Sequence, residues 1–104
     1  MYTPDKWVVL KIEDNGKIGY KVLAGWSGSY LEGQSWKINS GIVKVEEDGD
    51  YYLFYGNSGS VYKCHKNGYG TNLIMSDIIN QALATGNVEV MRKQNFTKLI
   101  KSNE

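Results

Sequence analysis

The sequence predicts an α+β fold, a twisted antiparallel β-meander of about five to six strands with one C-terminal helix packed on one face. Short segments of alternating apolar and polar residues, separated by glycine-containing turns, fill residues 7–65. After them the apolar spacing changes to that of a helix. Every strand connection before the helix is local, as in a meander. A small helix-capped β-barrel is the alternative, because short strands bounded by glycine also suit closure.

The first hairpin is the clearest element of the pattern. Residues 7–13 alternate in the manner of a half-buried strand, and residues 18–24 return antiparallel to them. Asn15 and Gly16 at the centre of the turn predict a type I′ conformation, since both residue types tolerate positive φ. The residues of the returning strand predicted to face the core are Ile18, Tyr20, Val22 and Ala24.

Residues 25–41 form a stretch rich in glycine and serine that also carries the large rings of Trp26, Tyr30 and Trp36. Rings are costly to leave in water, so a merely flexible linker would not need them. A core strand would not carry so much glycine, which packs nothing. The stretch therefore predicts an ordered loop over one end of the sheet, with rings that close that end or face a partner. Residues 35–39 alternate and are a candidate short strand.

A three-strand meander is predicted to follow over residues 42–47, 51–55 and 60–65. In the first of these strands, Val43 and Val45 are expected to point inward. Residues 51–55 are apolar or aromatic on both faces, which predicts a central strand covered on both sides.

A helix is predicted over residues 72–85, with Thr71 or Asn72 as N-cap and Gly86 in the left-handed conformation after its end. The last predicted elements are a short strand over residues 88–91 and a terminal turn of helix over residues 95–100.

The composition indicates an ordinary single domain over residues 1–104 with a formal net charge of +1. This charge gives no bulk electrostatic argument for nucleic acid or an anionic membrane. Cys64 is the only cysteine, which excludes an intramolecular disulfide and favours a reducing compartment. Residues 1–6 do not resemble a signal peptide, and no segment approaches the roughly 20 apolar residues of a membrane-spanning helix. We therefore expect a cytoplasmic protein without membrane association.

The residues that could carry catalysis are poorly placed for it, so we expect no enzymatic activity. Cys64 and His65 are neighbours in a predicted strand, and successive strand residues point to opposite faces. Ser58 in the turn over residues 56–59 would need a base, and His65 is the only histidine.

Metal and cofactor sites are not indicated either. One cysteine and one histidine cannot supply four zinc ligands, and the acidic residues of 46–50 match no calcium-binding loop. The glycines of 25–41 lack the lysine and following helix of a phosphate loop. We therefore expect no metal and no cofactor.

Single-stranded nucleic acid is the alternative ligand, because a sheet face rich in tyrosine can stack bases. The rings of that platform would be Trp36, Tyr51, Tyr55, Tyr62 and Tyr69. The groups at the phosphates would be Lys37, Lys63, His65 and Lys66. The near-zero net charge and the acidic turn of the same meander argue against this reading.

The patterns over residues 24–26, 33–42 and 55–64 resemble small uncharacterised proteins encoded by tailed bacteriophages. The resemblance implies a protein that acts inside an infected bacterium and binds a host or phage macromolecule. It implies no activity and no functional residue.

The leading hypothesis is a non-enzymatic binding module with a protein partner. Aromatic anchors grouped in a small patch are what protein interfaces use. The residues predicted to form the patch are Trp26, Tyr30 and Trp36 of the ring-bearing stretch, beside Ser58 and Tyr62 of the following hairpin.

Overall fold

The computed structural model describes residues 1–28, 35–93 and 95. Within them, seven strands and one α-helix confirm the predicted α+β class. In chain order these are β1 (Lys6–Asp14), β2 (Lys17–Trp26), β3 (Ser35–Ile38), β4 (Ile42–Asp48), β5 (Tyr51–Gly56), β6 (Val61–His65), α1 (Leu73–Leu83) and β7 (Val88–Val90). A single 3₁₀ turn over Lys66–Gly68 follows β6. The terminal turn of helix predicted over residues 95–100 lies almost wholly outside the described residues.

The strands form two antiparallel sheets, with the strand orders β3-β2-β1-β7 and β4-β5-β6. The chain crosses from the first sheet to the second just after β3. There the backbone N–H of Asn39 donates to the carbonyl of Val22 (3.0 Å), and the Asn39 side-chain oxygen accepts from the Val22 N–H (2.9 Å). Gly41 then adopts φ 138°, in the region that favours glycine, and the chain enters β4.

The four-stranded sheet is the middle of three layers. It has the second sheet on one face and α1 on the other, because β1 is apolar on both faces. The core between the two sheets consists of Trp7, Val9, Val22, Ala24, Val45, Tyr52, Phe54, Tyr62 and Cys64. The core between the sheet and the helix consists of Val8, Leu10, Leu23, Met75 and Ile79.

The helix begins after the predicted N-cap Asn72 but ends at Leu83, two residues before the predicted end at Thr85. The side-chain oxygen of the N-cap Asn72 accepts from the backbone N–H of Met75 (2.9 Å), and Gly86 has φ 81°. Gly25 allows the close approach of the helix to β2, since a Cβ at this position would lie 2.4 Å from the Met75 sulfur.

The first hairpin is confirmed, including its type I′ turn, in which Asn15 and Gly16 have φ 52° and 80°. One predicted core position of β2 is wrong: Ile18 is 53% exposed. The core between the sheets contains Val22 and Ala24 and extends only to the half-buried Tyr20. Ile18 therefore lies beyond the covered part of the strand.

The prediction that Val43 points inward is also wrong, since this side chain is 58% exposed. The pairing of β4 with β5 shifts register between Ile42 and Lys44, and such a bulge turns a side chain out of the alternating pattern. The central position predicted for residues 51–55 is confirmed by β5. The inner face of β5 is buried, whereas its outer face is only half-buried and lacks the predicted cover.

Candidate binding surface

Strand β3 is the outer strand of the first sheet, and within the described residues it pairs only with β2. All four of its residues are exposed. Trp36 pairs with Gly25 and Ile38 pairs with Leu23, which places both side chains on the face of the sheet that carries the helix. Leu23 is buried beneath the helix, whereas Trp36 and Ile38 remain 40% and 39% exposed. These two side chains form an apolar ledge, which we call the β3 ledge.

A groove of about 500 Å³ lies along the same edge, on the side of Trp26 and Lys37. Trp26 is the neighbour of Gly25 along β2, so its side chain points to the face opposite that of Trp36. The Trp26 ring is half-buried, and its Nε1 donates to the carbonyl of Thr3 (3.1 Å). The ring of Tyr2 meets it edge-on with ring centroids 6.3 Å apart.

The N-terminal segment builds one wall of this groove. Tyr2 pairs in parallel with β6: its N–H donates to the carbonyl of Val61 (2.9 Å), and its carbonyl accepts from the N–H of Lys63 (2.7 Å). The Lys37 ammonium lies 5.2 Å from the centre of the Tyr2 ring, within the range of a cation–π interaction. The N-terminus thus connects the second sheet to the edge of the first.

The structure distributes the predicted site residues over several environments. Trp26 and Trp36 line the same groove, and Tyr30 lies outside the described residues. Tyr62 is buried beneath Tyr2, with ring centroids 5.0 Å apart, and desolvation raises the pKa of its phenol. Ser58 accepts a hydrogen bond from the Ser40 hydroxyl (3.0 Å), where the chain crosses between the sheets. Tyr62 therefore supports the groove wall and offers no surface to a partner.

Sequence reasoning missed Tyr2 and Ile38 as parts of this surface. The alternation of residues 35–39 contained the signal for Ile38, because it predicted a strand with Trp36 and Ile38 on one face. Nothing local could have placed Tyr2, since its pairing with β6 joins segments about 60 residues apart in the sequence.

The rings predicted as a nucleic-acid platform do not share one face. Tyr51 and Tyr55 lie on the outer face of the second sheet, with the Lys63 and Lys44 ammonium groups 4.6 Å and 5.4 Å from their ring centres. On the same face, Glu46 pairs with Lys44 (2.7 Å) and accepts from the Tyr55 hydroxyl (3.1 Å). The Lys44 hydrogen bond, with a smaller contribution from Tyr55, lowers the pKa of Glu46.

The remaining rings of that platform face elsewhere. Tyr62 is in the core between the sheets, and Trp36 belongs to the other sheet. The Tyr69 hydroxyl accepts from the backbone N–H of Val9 and donates to the carbonyl of Met91. Desolvation raises the pKa of this phenol. Two of the five predicted rings are thus left for a base to stack on at the outer face.

The groups considered for catalysis are engaged in structural contacts. Cys64 is fully buried, and desolvation raises the pKa of its thiol far above the ordinary range, which disfavours the reactive thiolate. The His65 Nδ1 accepts from the backbone N–H of Asn67 (3.0 Å). Ser58 precedes β6 and His65 ends it, so roughly 15 Å of extended chain separates the two residues.

In the part of the chain that the structure describes, histidine, cysteine and carboxylate side chains do not gather in groups of three or more that could hold a metal ion. No helix among the described residues is long and apolar enough to cross a membrane.

Comparison with known protein families, with curated proteins and with solved structures gives no match for this chain. The resemblance to small phage proteins stays a prediction.

Proposed function

We propose that this chain is a non-enzymatic binding protein that holds an extended segment of a protein partner along β3. The observation that carries the proposal is the β3 ledge. Trp36 and Ile38 are exposed on an outer strand, while the neighbouring apolar residue of β2, Leu23, is completely buried.

The chemistry of an outer strand supports this mode of binding. Such a strand presents backbone N–H and C=O groups to an added strand, and the alternating side chains supply specificity. Trp36 and Ile38 are two residues apart, so alternate side chains of the partner would lie on them. Tryptophan is also enriched among the residues that dominate binding energy at interfaces. On the opposite face, Trp26 would contact the partner from the groove.

The resemblance to small phage proteins bears on the identity of the partner. On that basis we propose that the partner is a host or phage macromolecule in the cytoplasm of an infected bacterium. The surface itself indicates a protein segment, because the groups that it offers are a strand edge and apolar side chains.

Serine substitution of Trp36 tests the proposal, with Leu83→Ser as the control. Leu83 ends α1 and is 43% exposed, close to the 40% of Trp36, so both changes remove apolar surface from water. We expect both variants to keep the thermal midpoint of the native chain to within a few degrees. Captured from a lysate, a partner protein should bind the native chain and Leu83→Ser equally, and Trp36→Ser at least tenfold more weakly.

Two results would contradict the proposal. If Trp36→Ser unfolds the chain, the ring belongs to the core and the β3 ledge is not a recognition surface. If the folded Trp36→Ser variant captures the same protein as the native chain does, the partner binds elsewhere.

Single-stranded nucleic acid remains the second candidate, supported by the two lysine–tyrosine pairs on the outer face of the second sheet. A filter-binding titration of a single-stranded oligonucleotide across salt concentrations tests it, because phosphate contacts weaken as salt rises. Affinity at low salt that falls on Tyr51→Ala would support this candidate. No affinity at low salt would remove it.

A further inference from the structure

The first half of β2 has an edge that the described strands leave open. β3 pairs with the second half of β2, and this pairing ends where Asn39 contacts Val22. The chain then turns away into β4 at Gly41. From Lys17 to Lys21, β2 pairs with β1 on one side and with no described strand on the other.

The backbone groups along this open edge can be assigned from the ladder. The N–H and C=O groups of successive strand residues point alternately to the two neighbouring strands. Those of Val22 point away from β1, since they bond to Asn39. The N–H and C=O groups of Tyr20 and Ile18 therefore also point away from β1. Among the described residues, these four groups have no hydrogen-bond partner.

The open edge borders a groove of about 440 Å³, with the beginning of β4 on its other side. Ile18 and Tyr20 lie on the face of β2 that meets the second sheet, because Val22 of the same row is in the core between the sheets. Across the groove, Ile42 and Val43 extend this apolar surface. One side of the groove is therefore apolar, and Val43 and Ile18 are its most exposed members.

The opposite face of the same edge is basic. Lys17 and Lys21 alternate with Ile18 and Tyr20, so their side chains lie on the face that carries the helix. Neither lysine has an ion-pair partner among the described residues. Of the described residues that line the groove, only Asp14 is acidic.

We propose that this groove is a strand-addition site for a second protein segment, one that alternates apolar and acidic residues. Its backbone would pair antiparallel with β2 and bond to the N–H and C=O groups of Ile18 and Tyr20 that point away from β1. Its apolar side chains would lie on the side of Ile42 and Val43, and its acidic side chains on the side of the two lysines. The edge from Lys17 to Lys21 is roughly 13 Å long and suits about five residues.

A second copy of this chain is the wrong occupant. Two such edges paired antiparallel would bring lysine opposite lysine on one face, and like charges directly opposite each other destabilise a strand pair. The site lies on a different surface from the β3 ledge and takes a segment of defined charge. The groove proposal therefore goes beyond the proposed function, and an experiment can disprove either the groove or the β3 ledge without disproving the other.

Fluorescence anisotropy with labelled hexapeptides and the full chain tests the proposal. One peptide alternates valine and glutamate, and its control alternates valine and lysine. At low ionic strength the valine–glutamate peptide should bind at least tenfold more tightly, because its carboxylates face Lys17 and Lys21. No binding of this peptide at millimolar concentration, or equal binding of both peptides, would overturn the proposal.

Backbone methylation of the peptide separates strand pairing from simple charge attraction without altering the protein. In this antiparallel pairing, which is the orientation of all five described strand pairs, the valine amides face Ile18 and Tyr20, whereas the glutamate amides face away from β2. Methylating the valine amides should weaken binding at least tenfold, and methylating the glutamate amides should change it less than twofold. Equal effects of the two methylations would overturn the proposal.

Charge reversal of the protein completes the test. In the double variant Lys17→Glu and Lys21→Glu the preference should invert, so that the valine–lysine peptide binds the more tightly. If Trp36→Ser binds the valine–glutamate peptide at least tenfold more weakly than the native chain does, the peptide occupies the β3 ledge and the proposal is overturned. The proposal is overturned if the double variant is folded by circular dichroism and still prefers the valine–glutamate peptide. If the double variant does not fold, the methylated peptides with the native chain test the proposal instead.

Discussion

The two halves of β2 belong to one strand and yet have opposite environments. The half from Val22 to Trp26 pairs with strands on both sides and has the second sheet and the helix on its two faces. Among the described strands, the half from Lys17 to Lys21 pairs with β1 alone, and its Ile18 is 53% exposed. On the face toward the second sheet both halves are apolar, with Ile18 and Tyr20 in one half and Val22 and Ala24 in the other. The comparison teaches that alternation decides which way a side chain points, whereas neighbouring elements decide whether it is buried.

The sharpest test of this difference is to add a methyl group to a glycine in each half. A Cβ at Gly25 would lie 2.4 Å from the buried Met75 sulfur and 2.8 Å from the Asn72 side-chain nitrogen, whereas a Cβ at Gly19 has nothing within 4 Å. We expect Gly25→Ala to lower the free energy of unfolding by about 3 kcal/mol, since overpacking would displace the helix start. Chemical denaturation measures this change.

Gly19→Ala is the matched control in the half of β2 from Lys17 to Lys21. Removing a glycine from a strand lowers the entropy cost of folding, so this variant should be unchanged or more stable by up to about 1 kcal/mol. If Gly19→Ala lowers the free energy of unfolding as much as Gly25→Ala does, both halves of β2 are closely packed. The distinction between the two halves would then fail.

Shortening an apolar side chain in each half is expected to have the next largest effect. Val22→Ala removes two buried methyl groups from the core between the sheets and should cost about 2 kcal/mol. Ile18→Ala shortens an exposed side chain and should change stability by less than about 0.5 kcal/mol. Urea titrations of both variants measure the difference. If Ile18→Ala lowers the free energy of unfolding as much as Val22→Ala does, the groove beside Ile18 is closed in solution.

The local parts of this fold could be predicted from the sequence because their causes are local. Asn15-Gly16 determines its own turn, and Asn72 and Gly86 bound the helix with their own backbone and side-chain groups. The division into two sheets could not be predicted, since an alternating strand reads the same in either sheet. The bulge that exposes Val43 likewise depends on the pairing of β4 with β5.

The candidate site was predictable only in part, for the same physical reason. The large rings of Trp26 and Trp36 in a glycine-rich stretch indicated a surface near this edge. The sequence does not contain the register that turns Trp36 and Ile38 toward the helix side, nor the pairing that brings in Tyr2. The open edge of β2 could not be predicted, because the sequence of a strand does not show whether another strand pairs with its edge.

Alkaline pH tests the burial of the core beneath the half of β2 from Val22 to Trp26, without any substitution. Cys64 lies in the same core as Val22, and desolvation raises the pKa of its thiol above its ordinary value of 9.0. Because the folded-state pKa is the higher one, the contribution of the thiol to stability is complete below pH 9 and is lost as pH rises above it. Between pH 9 and pH 10 we expect the free energy of unfolding to fall by about 1 kcal/mol. Urea titrations at the two pH values measure the fall.

Cys64→Ala is the control, because alanine has no proton to lose. Its stability at pH 9 will be lower than that of the native chain, so the comparison is between the changes with pH and not between the absolute values. The variant should lose less than half as much stability as the native chain between pH 9 and pH 10. The buried tyrosines also have raised pKa values, but their ordinary value of 10.0 places most of their effect above this range. If the free energy of unfolding falls equally in both proteins, water reaches the Cys64 thiol in the folded state. The half of β2 from Val22 to Trp26 would then be no better covered than the half from Lys17 to Lys21.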